Sequence, residues 1–235
     1  MIFKSGCWNS NRTMKELKNI RYWIFDLDNT LYPPTTNLFD KIDRLMCRFI
    51  EENLNVTSQE ALKIKDTYFH QHGTTLNGLM KNHEVDAEKF LEFVHDIDYS
   101  ILQKDSKLSE EIAKLPGEKI IFTNGSRKHA QKVIQQLGIE NNFDKIFDIV
   151  DSKFIPKPQI DPYHDLISTY DIDTKNSIFF EDIAKNLLTA HELGMKTAWI
   201  ENDDDYCKQG YDGKHIHYRV KNLRSFLNQI NESIN

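Results

Sequence analysis

Phe25-Asp26-Leu27-Asp28-Asn29-Thr30-Leu31 ends an apolar run that begins at Tyr22. Short continuous apolar runs are typical of strands that are buried on both faces of a parallel sheet. On an extended backbone, side chains two residues apart point the same way, so the carboxylates of Asp26 and Asp28 can face one pocket. Ligands of open α/β sheets bind at the carboxyl edge of the strands. The segment therefore predicts a carboxylate pair at a ligand-binding edge.

Three further apolar runs have the character of strands, at residues 120–122, 178–180 and 197–200. Helical patterns separate them, over residues 127–137 and 184–193, and a glycine follows each pattern, as is common at helix C-termini. Strands that alternate with helices indicate an α/β fold. We predict a Rossmann-like parallel sheet with helices on both faces.

Residues 34–115 have a different pattern, with apolar side chains at helical spacing and no convincing strand. We predict that this segment is a helical cap inserted after the first strand, and that residues 21–33 and 116–235 form the α/β core. Residues 1–20 are predicted to be an N-terminal extension, and Met14 is an alternative start of translation. The apolar residues of the cap pattern are Leu38, Ile42, Leu45, Met46, Phe49, Ile50, Phe90, Leu91 and Val94.

The composition restricts the classes of partner. The net charge of the 235 residues is −6 and the basic residues are scattered, which argues against binding of a nucleic-acid polymer. No apolar run approaches the roughly 20 residues that cross a bilayer, so no membrane partner is expected. Three widely spaced cysteines, without a Cys-x-x-Cys motif, predict neither a disulfide framework nor a zinc site. A reducing cytoplasm is the expected location.

A nucleophilic Asp26 needs a cation if its target is a phosphate dianion. At about 4 Å, each pair of unit charges repels by roughly 4 kcal/mol at an effective dielectric constant near 20. Magnesium is suitable, because it binds hard oxygen ligands from one or two carboxylates together with substrate phosphate. The sequence therefore predicts Mg²⁺ as the cofactor.

Polar residues that suit this chemistry follow the other predicted strands. Thr123 and Asn124 can donate hydrogen bonds to phosphate oxygens, and Lys157, between two prolines, can neutralise charge on a phosphoryl group. Glu181 and Asp182 form a second acidic pair that can complete a metal site. Each motif alone is common in turns and surface loops, but their order at successive strand ends indicates one site.

With these motifs the chain resembles the phosphatases of the haloacid dehalogenase superfamily, over about residues 21–227. The resemblance implies that Asp26 forms an aspartyl-phosphate, and that Asp28 protonates the leaving oxygen and later deprotonates water. It implies that Thr123 and Lys157 hold phosphate, and that Asp26, the backbone carbonyl of Asp28, and Asp182 bind magnesium. Many members have two aspartates where this chain has Glu181-Asp182, so Glu181 can touch the metal directly or through water.

Asp28 distinguishes two reactions that this superfamily performs. Dehalogenation needs a nucleophilic aspartate, but it needs neither magnesium nor a second acid to protonate an alkoxide leaving group. The presence of both Asp28, the second acid, and Asp182, a predicted magnesium ligand, therefore favours cleavage of phosphate esters.

The substrate is predicted from resemblance alone. Three segments, at residues 72–80, 93–99 and 123–127, are similar to the pyrimidine 5′-nucleotidase subfamily, which acts on uridine and cytidine monophosphates. A nucleoside monophosphate is thus the expected small-molecule partner, and the residues predicted to contact its leaving group are His70, Thr75, Tyr99 and Arg127. Three alternatives stay open: a phosphatase for a sugar phosphate or phosphoglycolate, a phosphotransferase or mutase, and a non-catalytic binding protein.

Overall fold

A computed structural model describes residues 14–234 of the chain. Six parallel strands form one sheet in the order β3-β2-β1-β4-β5-β6, so β1 lies between β2 and β4. This architecture confirms the predicted α/β fold. The strands are β1 (Tyr22–Phe25), β2 (Glu118–Phe122), β3 (Lys145–Phe147), β4 (Ser177–Glu181), β5 (Lys196–Ile200) and β6 (Tyr218–Val220).

Helices cover both faces of the sheet, because successive side chains of a strand point to opposite sides. Trp23 and Phe25 of β1 pack with the first group of helices, whereas Ile24 packs with the second. The first group is α5 (Ser106–Ala113), α6 (Arg127–Leu137) and α9 (Leu223–Ile234), and the second is α7 (Ile160–Tyr170) and α8 (Asn186–Glu192).

Four helices lie between β1 and α5 in the chain and have an apolar core of their own. Thr57 and Glu60 form a reciprocal capping box at the start of the second of them. A Cβ on Gly78 would lie 2.3 Å from Cβ of Tyr68, so the second and third of these helices pack too closely for any other residue there. These helices are α1 (Leu38–Leu54), α2 (Ser58–His72), α3 (Thr75–His83) and α4 (Ala87–Val94).

The predicted N-terminal extension is described in part. Met14, Leu17 and Ile20 are buried in the core on the α5, α6 and α9 side of the sheet. Residues 1–13, which include the first possible start of translation, lie outside the described residues. Among residues 14–234, none of the helices is both long enough and apolar enough to cross a membrane.

Candidate active site

Asp26 lies at the carboxyl edge of the sheet, directly after β1. Its backbone N–H donates to the carbonyl of Phe180 at 2.9 Å, so the β1–β4 hydrogen bonding continues to this residue. Thr123 directly follows β2, and Asp182 directly follows β4. Because β2 and β4 are the two neighbours of β1, the three buried side chains meet above the middle of the sheet.

The ammonium group of Lys157 lies between two carboxylates. Its Nζ donates to Oδ1 of Asp26 and to Oε2 of Glu181, both at 2.7 Å, and to the carbonyl of Phe122 at 2.9 Å. Burial alone would lower the pKa of Lys157, but the two carboxylates outweigh burial and raise it. The side chain is only 1% exposed, so this cation is held in place and stays charged.

Asp26, Glu181 and Asp182 form a buried acidic cluster, in which one carboxylate oxygen of each lies within 4.8 Å of the others. Burial, and then the charge of Glu181, raises the pKa of Asp26 to about 7, although Lys157 opposes the shift. Burial and the other two carboxylates raise the pKa of Asp182 well above its ordinary value. One ammonium does not balance three carboxylates, and hard oxygen donors are what divalent cations such as Mg²⁺ bind. The cluster therefore suits a metal ion.

The oxygens of Glu181 and Asp182 have different partners. Oε2 of Glu181 accepts from Lys157, and Oε1 accepts from the backbone N–H of Ile183 at 3.1 Å. Oδ2 of Asp182 accepts from Nδ2 of Asn202 at 2.7 Å, and the carbonyl of Asp182 accepts from the indole of Trp199. Both acidic side chains are therefore fixed from the protein side.

Asp28 belongs to a separate hydrogen-bonded group. Its Oδ1 accepts from Nε2 of His129 at 2.7 Å and also from the hydroxyl of Tyr32. Burial would raise the pKa of Asp28, but His129 and the hydrogen bond from Tyr32 outweigh burial and lower it. Asp26 and Asp28 thus differ. Asp26 pairs with Lys157 and belongs to the acidic cluster, whereas Asp28 accepts from an imidazole and a phenol.

The residues after β2 shape the space beside these carboxylates. Oγ1 of Thr123 accepts from the backbone N–H of Gly125 at 2.9 Å, which leaves the hydroxyl proton of Thr123 available for donation. The side chain of Asn124 accepts from the backbone N–H of Lys157 at 2.9 Å, so Asn124 holds the Lys157 loop at the strand end. A Cβ on Gly125 would lie 3.2 Å from His129, so glycine allows the close approach of this ring to the backbone.

Comparison with known families shows the family of the chain. The sequence profile of the haloacid dehalogenase-like hydrolases matches residues 23–200, about three quarters of the chain. The chain belongs to this family. A curated relative, Phosphate metabolism protein 8 of Saccharomyces cerevisiae, is 28% identical over 193 residues. That match includes 74% of this chain and 60% of the relative, so the chain spans less than two thirds of the relative's length.

Two solved structures share the fold of this haloacid dehalogenase-like hydrolase. L-2-haloacid dehalogenase from Xanthobacter autotrophicus has a TM-score of 0.56 and 16% identity, covering 90% of this chain and 98% of the other. The YfnB protein from Bacillus subtilis, solved with bound magnesium, has a TM-score of 0.59 and 16% identity, covering 90% and 99%. At this identity, the two likenesses show a common fold alone.

The four residues predicted to contact the leaving group have different surroundings in this hydrolase. Thr75 is buried and donates to the carbonyl of Lys65 at 3.1 Å, inside the inserted helices. His70 is exposed at the end of α2, with its ring centroid 5.0 Å from that of Tyr206. The role of each in binding the leaving group stays a prediction.

Tyr99 and Arg127 lie on the side of the site formed by α6. The hydroxyl of Tyr99 is 2.9 Å from Nδ1 of His129 and therefore reaches Asp28 only through that ring. Arg127 pairs with Asp151 at 2.5 Å and lines a groove of about 1090 Å³ between α1, α4 and α6. Neither contact is with the acidic cluster.

Three residues of the site are not predicted from the sequence: His129, Tyr32 and Asn202. His129 follows the Thr123-Asn124-Gly125 motif by a few residues and lies in the first turn of a predicted helix. This position near the strand end is the one feature of the sequence that indicates a place in the site. Tyr32 lies four residues after Asp28, but no regular element in this stretch predicts where its ring points. Asn202 follows β5 at the same sheet edge and could have been found as a polar residue after a predicted strand.

Proposed function

We propose that the protein is a magnesium-dependent phosphomonoester hydrolase with Asp26 as its nucleophile. The observation that carries this proposal is the second carboxylate, Asp28, which is held by Nε2–H of His129 and Tyr32 beside the nucleophile. A dehalogenase has no need of a second acid, whereas an alkoxide leaving group must receive a proton. The name of the yeast relative, Phosphate metabolism protein 8, supports phosphate chemistry for this hydrolase.

In the first half-reaction, a carboxylate oxygen of Asp26 attacks phosphorus and forms an aspartyl-phosphate. The ester P–O bond breaks, and its oxygen takes the proton of Asp28. Asp28 must carry that proton at the start, and a phosphate dianion beside it favours the protonated carboxyl through like-charge repulsion. In the second half-reaction, Asp28 removes a proton from water, the water oxygen attacks phosphorus, and the bond to Asp26 breaks to release phosphate.

Lys157 and Thr123 act on the phosphoryl group through charge and hydrogen bonding. Lys157 already lies 2.7 Å from Asp26, where it offsets part of the negative charge that would repel a phosphate. The free hydroxyl proton of Thr123 is available to a phosphate oxygen, and Asn124 holds the loop that carries Lys157.

Asp26 and Asp182 would hold Mg²⁺, with the backbone carbonyl of Asp28 as a third ligand. The cluster fits this ion, because it consists of buried oxygen donors whose charge Lys157 alone does not balance. Both oxygens of Glu181 already accept hydrogen bonds, which favours an indirect role for this residue through Lys157 and through water. When bound, Mg²⁺ would neutralise phosphate charge and so lower the repulsion that opposes attack by Asp26.

Pyrimidine nucleoside monophosphates, such as uridine and cytidine monophosphate, are the proposed substrates. Support comes from the similarity of residues 72–80, 93–99 and 123–127 to pyrimidine 5′-nucleotidases. A sugar phosphate or phosphoglycolate is the alternative substrate of the same chemistry.

Phosphate release from a panel of nucleotides and sugar phosphates, with Mg²⁺ and with chelator, tests this function. We expect Mg²⁺-dependent release from the pyrimidine monophosphates. Release from sugar phosphates with none from nucleotides would refute the nucleotidase assignment and keep the phosphatase. Full activity in the presence of chelator, or dehalogenation of a 2-haloacid without phosphate release from any ester, would refute the phosphatase.

A further inference from the structure

The two oxygens of Asp28 have unequal surroundings. Oδ1 accepts hydrogen bonds from both His129 and Tyr32. Oδ2 accepts no hydrogen bond from residues 14–234, the part of the chain that the structure describes. One oxygen is therefore anchored to the protein, and the other is not.

The imidazole of His129 is fixed on all sides. Its side chain has no exposed surface, and its ring stacks on that of His95 with centroids 4.3 Å apart and planes within 8°. Nδ1 lies 2.9 Å from the hydroxyl of Tyr99, and the backbone N–H donates to Ser126 at the first turn of α6. Rotation of the ring away from Asp28 would break the stacking on His95 and the contact with Tyr99 together.

Hydrogen-bond chemistry determines where protons lie in this group. A carboxylate only accepts, so Nε2 of His129 carries the hydrogen that points at Oδ1 of Asp28. Both donors bind Oδ1, which has two lone pairs. When Asp28 is protonated, its proton therefore resides on Oδ2, the oxygen that these donors leave unoccupied.

We propose that His129 is a positioning residue for the acid–base carboxyl of Asp28, and that Tyr99 positions His129 in turn. This inference rests on the proposed phosphatase activity. His129 anchors Oδ1, so that Oδ2 carries the proton that passes to the ester oxygen as the P–O bond breaks and the bond from Asp26 to phosphorus forms. In hydrolysis of the aspartyl-phosphate, the same Oδ2 accepts the proton of the attacking water.

The loss of kcat/KM in a His129 variant should depend on the leaving group if His129 positions Asp28, but not if its role is only structural. The uridine of uridine monophosphate leaves as an alkoxide that needs a proton, whereas p-nitrophenolate leaves p-nitrophenyl phosphate without one. The ratio kcat/KM reports only the steps up to departure of the leaving group. We expect His129→Leu to lower kcat/KM for uridine monophosphate by about 10²-fold or more, and for p-nitrophenyl phosphate by less than about tenfold. If wild-type protein prefers another alkyl phosphate, that ester takes the place of uridine monophosphate.

Two conservative variants distinguish the loss of positioning from a folding defect. His129→Gln keeps an N–H donor and should recover about tenfold or more of the loss for the alkyl ester. Tyr99→Phe removes only a hydroxyl and should lower kcat/KM selectively for the alkyl ester, by a smaller factor than His129→Leu. Tyr170→Phe is the matched control, because it loses a hydroxyl bonded to the carbonyl of Ile146, and it should show no selectivity between the two substrates.

Equal losses for the two substrates in His129→Leu and Tyr99→Phe would overturn the positioning role and leave the phosphatase intact. Wild-type protein that hydrolyses neither kind of ester would instead overturn the proposed function, and this inference with it. Each result therefore decides a different claim.

Discussion

Nζ of Lys157 lies 2.7 Å from Oδ1 of Asp26, and both side chains are almost completely buried. The same ammonium lies 2.7 Å from Glu181, so one cation balances part of the charge of two carboxylates. Removing one partner of a buried ion pair leaves the other charge without compensation, which costs more than the pair itself contributes. Lys157 therefore affects stability as well as chemistry.

We expect Lys157→Met to lower the free energy of unfolding by about 3–5 kcal/mol, measured by urea unfolding in chelator. Lys157→Met combined with Glu181→Gln should recover part of that loss, because one of the uncompensated carboxylates becomes neutral. Lys153→Met is the matched control, since Lys153 forms an exposed ion pair with Asp165. A loss in Lys157→Met no larger than in the control would show that the buried pair is not a determinant of stability.

Asp26→Asn should fold normally and release no phosphate from ester. The amide oxygen can still accept from Lys157, but the amide is not a nucleophile. We expect kcat to fall by about 10⁴-fold or more, on the order of 5.5 kcal/mol in the barrier. The control is Asp203→Asn, which removes the same charge from an exposed loop. Phosphate release by Asp26→Asn near the wild-type rate would contradict nucleophilic attack by this residue.

Mg²⁺ should stabilise the folded protein and lose this effect in Asp182→Asn. At about 100 times the dissociation constant, a ligand stabilises the native state by about 2.7 kcal/mol, and thermal unfolding with and without Mg²⁺ measures the shift. In chelator, Asp182→Asn should be at least as stable as wild type, because the repulsion from Glu181 is removed. Asp161→Asn is the exposed control. An undiminished Mg²⁺ shift in Asp182→Asn would locate the metal elsewhere.

Acidification should destabilise the protein through His95. Burial, and then the nearby His129, lowers the pKa of His95 to about 3, whereas an unfolded histidine has a pKa near 6.5. The unfolded chain thus binds the extra proton first, so stability is full above about pH 6.5 and falls by up to about 1.4 kcal/mol per pH unit towards pH 3.

His95→Gln should therefore show a weaker decline of stability between pH 6.5 and 4.5 than wild type, in urea unfolding with chelator present. The exposed His164→Gln is the control. The same slope in wild type and His95→Gln would show that His95 does not contribute to the acid sensitivity.

The sheet edge was predictable, because regular elements determine it. Asp26, Thr123 and Asp182 follow apolar runs, and parallel pairing alone brings such strand ends together. The position of the Lys157 side chain was not predictable in detail, because the chain between β3 and α7 is irregular and no periodicity describes it. The charge of Lys157 predicts a role beside phosphate, whereas its shared contact with Asp26 and Glu181 depends on the loop that Asn124 holds.

The role of His129 lay beyond sequence reasoning for a different reason. A histidine in the first turn of a helix usually faces solvent or core, and neither the spacing from Asp28 nor the composition indicates a contact across 101 residues. The packing of α6 on one face of the sheet brings the ring to the carboxylate. Contacts of this kind depend on how elements pack, which the pattern of apolar residues does not specify.

The four helices between β1 and α5, from Leu38 to Val94, lengthen a single connection of the core by 57 residues. The entropy of closing a loop grows only with the logarithm of its length, so doubling such an insertion costs the core about 0.6 kcal/mol. The inserted helices also carry their own apolar core. Evolution can therefore exchange, enlarge or trim this insertion with little loss of stability, while Asp26 and Thr123 keep their places side by side.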